Sequence, residues 1–186
     1  MFVGFEISNP PALSKVEIER GATYRMPSVL GWGANCAKNP QQYLGDYVYI
    51  EPRQSDMMGA KLSELIVQIL KRFRSATDVA PRHIVLYFSG ISEGQWSLGT
   101  AKTPKYALVY DDSNIPMNVV EGMTHGLCYL HEIVTATVSV PVPLIVADRC
   151  AKRGHNVNQR DAVGSIKEAN ERLVNQGELQ KVRYNA

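Results

Sequence analysis

Three cysteines, Cys36, Cys128 and Cys150, are all that the 186 residues contain. They are odd in number, far apart and form no CxxC pair, which excludes a disulfide framework and offers no zinc-ligand spacing. A reducing compartment, cytoplasmic or nuclear, suits such a chain. Long hydrophobic runs are also missing. The longest, Val138 to Ala147, is interrupted by Pro141 and Pro143 and falls far short of the roughly 20 residues a bilayer span needs. No membrane association is expected. The start lacks a basic n-region and Glu6 breaks its apolar stretch, so no signal peptide is read there. Charge of one sign is scarce as well: 20 basic against 18 acidic residues leave +2. A nucleic-acid surface would have to come from local clustering.

The composition, 45% hydrophobic and 20% charged, suits one packed domain. Met1 to Ile7 reads as a buried strand closed by Ser8, Asn9, Pro10 and Pro11. Leu13 to Pro27 reads as irregular, and Ser28 to Ala34 and Tyr47 to Glu51 as further strands, so the opening third predicts a three-stranded meander. From Ser55 the period changes: Met58, Leu62, Leu65, Ile66, Ile69 and Phe73 fall at three- and four-residue steps, with Ser55 and Asp56 as N-cap candidates. After Pro81 the pattern predicts strands over His83 to Tyr87 and Tyr106 to Tyr110 and a helix from Met117 to Ile133. An alternating stretch from Thr135 to Val142 follows, then a helix over Leu144 to Arg153. Gln159 to Gly164 reads as a polar linker to a C-terminal helix from Ser165 to Gln176. This order describes an α/β domain: an RNase H-like mixed sheet with helices on both faces.

Five segments carry a more specific signal: MFVGFEISNPP, HIVLYFSGISEGQW, GTAKTPKYALVYDD, HGLCYLHEIVTATVSVPVPLIVAD and the terminal VRYNA. Together and in this order they resemble the PIWI domain of Argonaute proteins, over essentially all of residues 1 to 186. The glutamate in FEISNPP is most similar to worm-type secondary Argonautes that lack slicer chemistry. The resemblance implies a partial domain. The family carries a further strand and helices between the SEGQ turn and the GT loop, whereas here Gln95-Trp96-Ser97-Leu98 runs straight into Gly99. It also carries N-terminal, PAZ and MID domains ahead of this one, which 186 residues cannot contain. A core strand starting at Met1 and an internal deletion suggest a piece of a longer Argonaute, with one edge of the sheet uncovered.

The cleaving members resemble RNase H in clamping two Mg²⁺ about 4 Å apart with several carboxylates. Matched by motif, this chain places Glu6 at the first ligand position, one methylene longer than the usual aspartate. Ser89 stands where a cleaving enzyme has aspartate, Met57 where it has its mobile glutamate, and Asp148 at the fourth position. Asp56 could stand in for Met57 but more simply caps the helix. Degenerate remnants of this kind imply no slicer activity and predict no cofactor, Mg²⁺ being possible but not expected.

Phosphate contacts need only fixed positive donors and can outlast a metal site. The resemblance assigns Lys102 to the guide backbone and Arg153 to the guide's 5′ phosphate, with Lys105 and Lys152 near them and the carboxylate of Ala186 tucked toward the same pocket, Tyr184 anchoring it. His131 stands at a position that is often aromatic, and Arg72 and Arg74 read as complements to a helix dipole. The expected function is RNA binding in small-RNA-mediated silencing without cleavage. The expected partners are a small guide RNA, its target RNA and silencing-complex proteins. The alternative is a regulatory fragment that binds silencing partners but not RNA.

Overall fold

The computed structural model describes residues 1–53, 58–89, 106–131, 136, 138–160 and 164–174. Strand β1 (Phe2–Ser8) is followed by a short helix α1 (Lys15–Glu19) and strands β2 (Ser28–Ala34) and β3 (Leu44–Ile50). The chain then forms α2 (Met58–Thr77), β4 (Val85–Phe88), α3 (Met117–Leu127), α4 (Val142–Arg160) and α5 (Ile166–Arg172). The sheet order is β3-β2-β1-β4. The first three strands are the expected antiparallel meander, and β4 returns through α2 to lie parallel to β1, with Phe5 beside Phe88. Among the described residues no helix is long and apolar enough to cross a membrane.

Strand alternation sorts the core into two layers. Val3, Phe5, Leu30, Trp32 and Ala34 pack on one face against Leu65 and Ile69 of α2. The opposite face carries Val29, Tyr47 and Tyr49 against Val142, Val146 and Cys150 of α4 and Ala169 of α5. Every residue of β2 is buried, as expected of a central strand covered on both sides. Arg72 lies over the Trp32 ring, 5.1 Å from its centroid, so this arginine roofs the α2 layer.

The α4 face of the sheet is paved with glycine. A side chain at Gly4 would run into the backbone of Pro143, and one at Gly31 into the Ala147 carbonyl and the Ala151 amide. The helix backbone therefore lies directly on β1 and β2. Pro141 and Pro143 flank its start, where proline's missing N–H costs nothing, and the Pro141 carbonyl accepts from the Leu144 amide at 2.9 Å. At the β3 edge the side chain of Asn170 acts as a strand would, since its Oδ1 accepts from the Tyr49 amide at 2.8 Å and its Nδ2 donates to the Tyr49 carbonyl at 2.9 Å. The Tyr47 hydroxyl donates to the Leu173 carbonyl at 2.7 Å and completes the docking of α5.

Several sequence expectations change. Tyr106 to Tyr110 is not a strand: no described segment offers it a ladder, and its apolar side chains stand out in solvent, Val109 at 91% exposure. Helix α3 stops at Leu127 rather than Ile133, its end turned by Cys128, whose amide bonds the His125 carbonyl at 3.0 Å. Of the alternating stretch after it, none of the described residues is in a strand, and the Val138 amide donates to the Cys128 carbonyl. Helix α4 begins at Val142 and runs through Gln159 and Arg160, which were expected in the linker; residues 161–163 lie outside the described set. Strand β3 starts at Leu44, three residues early. Helix α1, inside the segment read as irregular, is set by a capping box: the Glu17 amide donates to the Ser14 hydroxyl, and the Ser14 amide to the Glu17 carboxylate at 2.8 Å.

Two alanine substitutions test the glycine seat. Gly31→Ala should destabilise the fold by about 1–3 kcal/mol through overpacking against the α4 backbone. Gly122→Ala, on an exposed turn of α3 where a methyl would meet nothing within 4 Å, should stabilise it by about 0.5–1 kcal/mol. Urea unfolding midpoints that move in these opposite directions check the packing.

Candidate functional site

Glu6 shares its face of β1 with Gly4 and so points toward α4. The parallel pairing of β4 brings the ends of the two strands together, and the Ser89 amide donates to the Phe5 carbonyl at 3.1 Å. From there the Ser89 side chain stands beside the Glu6 carboxylate and stabilises its charged form. Across the gap, Asp148 and Lys152 are one turn apart on α4, with Nζ donating to Asp148 Oδ2 at 2.7 Å. The structure thus unites four of the expected residues, Glu6, Ser89, Asp148 and Lys152.

Their electrostatics follow from depth. Glu6 is partly buried, and this desolvation pushes its carboxyl above the usual carboxylate range. The Ser89 hydrogen bond pulls it back, the Asp148 charge pushes it up again, and the Lys152 ammonium lowers it. Asp148 and Lys152 are more exposed, at 39% and 69% of their side chains, so their bond is worth at most about 1 kcal/mol in stability. Its importance is local, because it commits a full positive charge to the mouth of the site.

This set does not suit a pair of divalent ions. Among the described residues no three histidines, cysteines, aspartates or glutamates stand close enough to hold a metal. The two carboxylates that do meet are each engaged by a donor, Glu6 by the Ser89 hydroxyl and Asp148 by an ammonium. Two Mg²⁺ carry four charges; a neutral hydroxyl does nothing to offset them and an ammonium adds to the excess.

The basic residues divide. Arg153 is on the exposed side of α4 next to Lys152; burial and the Asp46 charge push the Cys150 thiol up to about 12 against the opposing charge of Arg153. Arg149 Nη2 lies 3.2 Å from His131 Nε2. Because guanidinium only donates, this histidine nitrogen accepts, and Nδ1 is buried without a partner among the described residues. His131 therefore supports Arg149 from the loop after α3, not from within a helix. Met57, Lys102, Lys105 and Ala186 lie outside the described residues, as do Ser55, Asp56, the SEGQ turn and Tyr184. The Lys152 bond to Asp148 was readable from the four-residue spacing in DRCAK. The Ser89 bond to Glu6 was not, since it depends on which strand lies beside β1.

The model of the Piwi domain matches residues 1–98 and 96–159. The chain belongs to the Piwi-domain family. The two Piwi matches meet at residues 96–98, where the sequence places the missing βα segment. Relatives agree with that. The Argonaute protein wago-4 of Caenorhabditis elegans is 45% identical over 266 aligned positions covering 89% of this chain, so about 100 of those positions face no residue here. Argonaute protein wago-1 of the same organism is 25% identical over 84% of the chain. The chain spans only about a quarter of the length of these two curated relatives, 27% and 24%. Among solved structures, Kluyveromyces polysporus Argonaute with a guide RNA matches the whole chain with a TM-score of 0.71 at 12% identity, over 32% of its own chain. The C-terminal lobe of a budding yeast Argonaute matches with 0.68 at 13%, over 53% of its chain. At such identities the likeness establishes the RNase H-like Piwi fold and nothing finer.

The raised Glu6 carboxyl makes a testable claim about pH. A folded-state value above the ordinary 4.5 means that the folded protein holds this proton more tightly, so its contribution is full below pH 4.5 and is lost as pH rises through the folded value. Glu6→Gln, which cannot ionise, should therefore raise the melting temperature at pH 7, with the gain shrinking to nothing toward pH 4. Thermal melts of both proteins between pH 4 and 7 check it, and a constant difference across that range would refute the desolvation.

Proposed function

We propose that this Piwi domain binds the RNA backbone as part of a small-RNA silencing protein and does not cleave RNA. Its partners on this reading are a small guide RNA and the target RNA paired to it, within a larger silencing complex. The observation that carries the reading is the occupied site: the Lys152 ammonium on Asp148 and a neutral serine, Ser89, beside Glu6, where hydrolysis would require several free carboxylates.

The cationic face of α4 supports the binding half. Arg149, Lys152, Arg153 and Arg160 follow one another along the helix with Asp148 as its only acidic residue. From Arg149 to Arg160 the axis rises about 16 Å, enough to follow two or three successive phosphates. Such contacts give affinity without reading sequence, as suits a surface that must accept many guides.

Fluorescence anisotropy with a 5′-phosphorylated small RNA tests this directly. Affinity should fall steeply with salt, and Lys152→Ala with Arg153→Ala should weaken binding and flatten the log–log salt slope by about 1 for each lost phosphate contact. Guide-paired RNA should remain intact in Mg²⁺; cutting that Asp148→Ala abolished would end the non-cleaving reading. A protein-interaction role is favoured by one observation, the apolar row Ile84, Leu86 and Phe88 left 38–40% exposed along β4. Affinity indifferent to salt and to both α4 cations would move the assignment there.

A further inference from the structure

We infer that the Lys152 ammonium is the resident cation of the Glu6–Asp148 site, so that the site excludes a divalent metal by its own charge and not merely by lacking a ligand. The inference deepens the non-cleaving reading and rests on it. Lys152 Nζ is 2.7 Å from Asp148 Oδ2, a short, charge-assisted ammonium-to-carboxylate bond. Its charge also reaches Glu6 on β1, across the same gap. One side chain therefore addresses both acidic groups that remain, from a helix whose backbone is seated on the strand that carries Glu6.

The charge count gives the consequence. Glu6 and Asp148 supply two negative charges and Lys152 returns one positive, leaving a site of net −1. A divalent ion entering it would overturn the sign and sit within a few ångströms of an ammonium. Ser89, already donating to Glu6, offers no charge to offset that. The ammonium is tethered by four methylenes to a helix whose backbone is seated on the sheet, so its effective concentration at the site is high and it needs no free metal to recruit.

Removing the lysine should therefore open the site to metal. The purified full chain would be titrated with Mn²⁺, free ion being followed by electron paramagnetic resonance and folding by circular dichroism. Replacing one unit charge near a divalent ion by a neutral group of similar length, Lys152→Met, should tighten Mn²⁺ binding about tenfold over the wild type. Adding Ser89→Asp should tighten it further, and adding Asp148→Asn to Lys152→Met should cancel the gain. Equal Mn²⁺ affinity in the wild type and Lys152→Met would overturn the proposal, as would a folded Lys152→Met/Ser89→Asp protein that gains no site. Since no RNA is present, the titration can fail while salt-dependent RNA binding stands, and RNA binding can fail while the titration succeeds.

Discussion

The direct seat of α4 on the sheet is the constraint on which the rest depends. Without side chains at Gly4 and Gly31, the helix backbone rests on β1 and β2, and its rotation and height are fixed by main-chain contact and not by deformable side chains. That placement carries Asp148 and Lys152 to the end of β1, over Glu6. The tyrosines of β3 secure the far end of the same helix, where the Tyr49 hydroxyl donates to the Gly154 carbonyl at 2.8 Å. A site built on a helix and two strand ends held in this way cannot drift, which is why exchanging a few side chains changes its chemistry without changing the fold.

The site itself is a study in charge balance. A buried carboxylate is expensive unless something neutralises it, and the RNase H-like framework ordinarily leaves that task to metal ions. Here the balance is internal: the Lys152 ammonium bonds Asp148 and its charge also lowers the Glu6 carboxyl, leaving the pair at net −1. Arg149, Lys152, Arg153 and Arg160 lie along one side of α4, the side that the proposed RNA binding would use. The loss of cleavage and the retention of binding on this account are two sides of one helix.

Much of this was legible in the residues. The period-2 runs of β1 and β2 and the three-and-four spacing of α2 reported burial, and burial decided the elements. The motif order pointed to the Piwi family and to Glu6, Ser89 and Asp148 before any coordinates. What stayed hidden depended on neighbours. Tyr106 to Tyr110 has the composition of a strand but no described partner to pair with, and propensity cannot supply one. The end of α3 at Leu127 and the extension of α4 to Arg160 are tertiary outcomes, set by the loop bond from Val138 to Cys128 and by the burial of Asn158. Arg72 looked like a helix-end charge because only the fold reveals Trp32 beneath it. The Lys152 bond to Asp148 was legible as a four-residue helical spacing, but its place beside Glu6 was not, because that depends on where α4 crosses β1.

The central claim is that a side-chain cation, not a metal, balances Glu6 and Asp148. A crystal structure of the wild-type chain grown in millimolar Mn²⁺, with data collected at the manganese absorption edge, tests it most directly. The account predicts the Lys152 ammonium at hydrogen-bonding distance from Asp148 and no anomalous peak between the two carboxylates. A manganese peak coordinated by Glu6 and Asp148, with Lys152 swung into solvent, would contradict it.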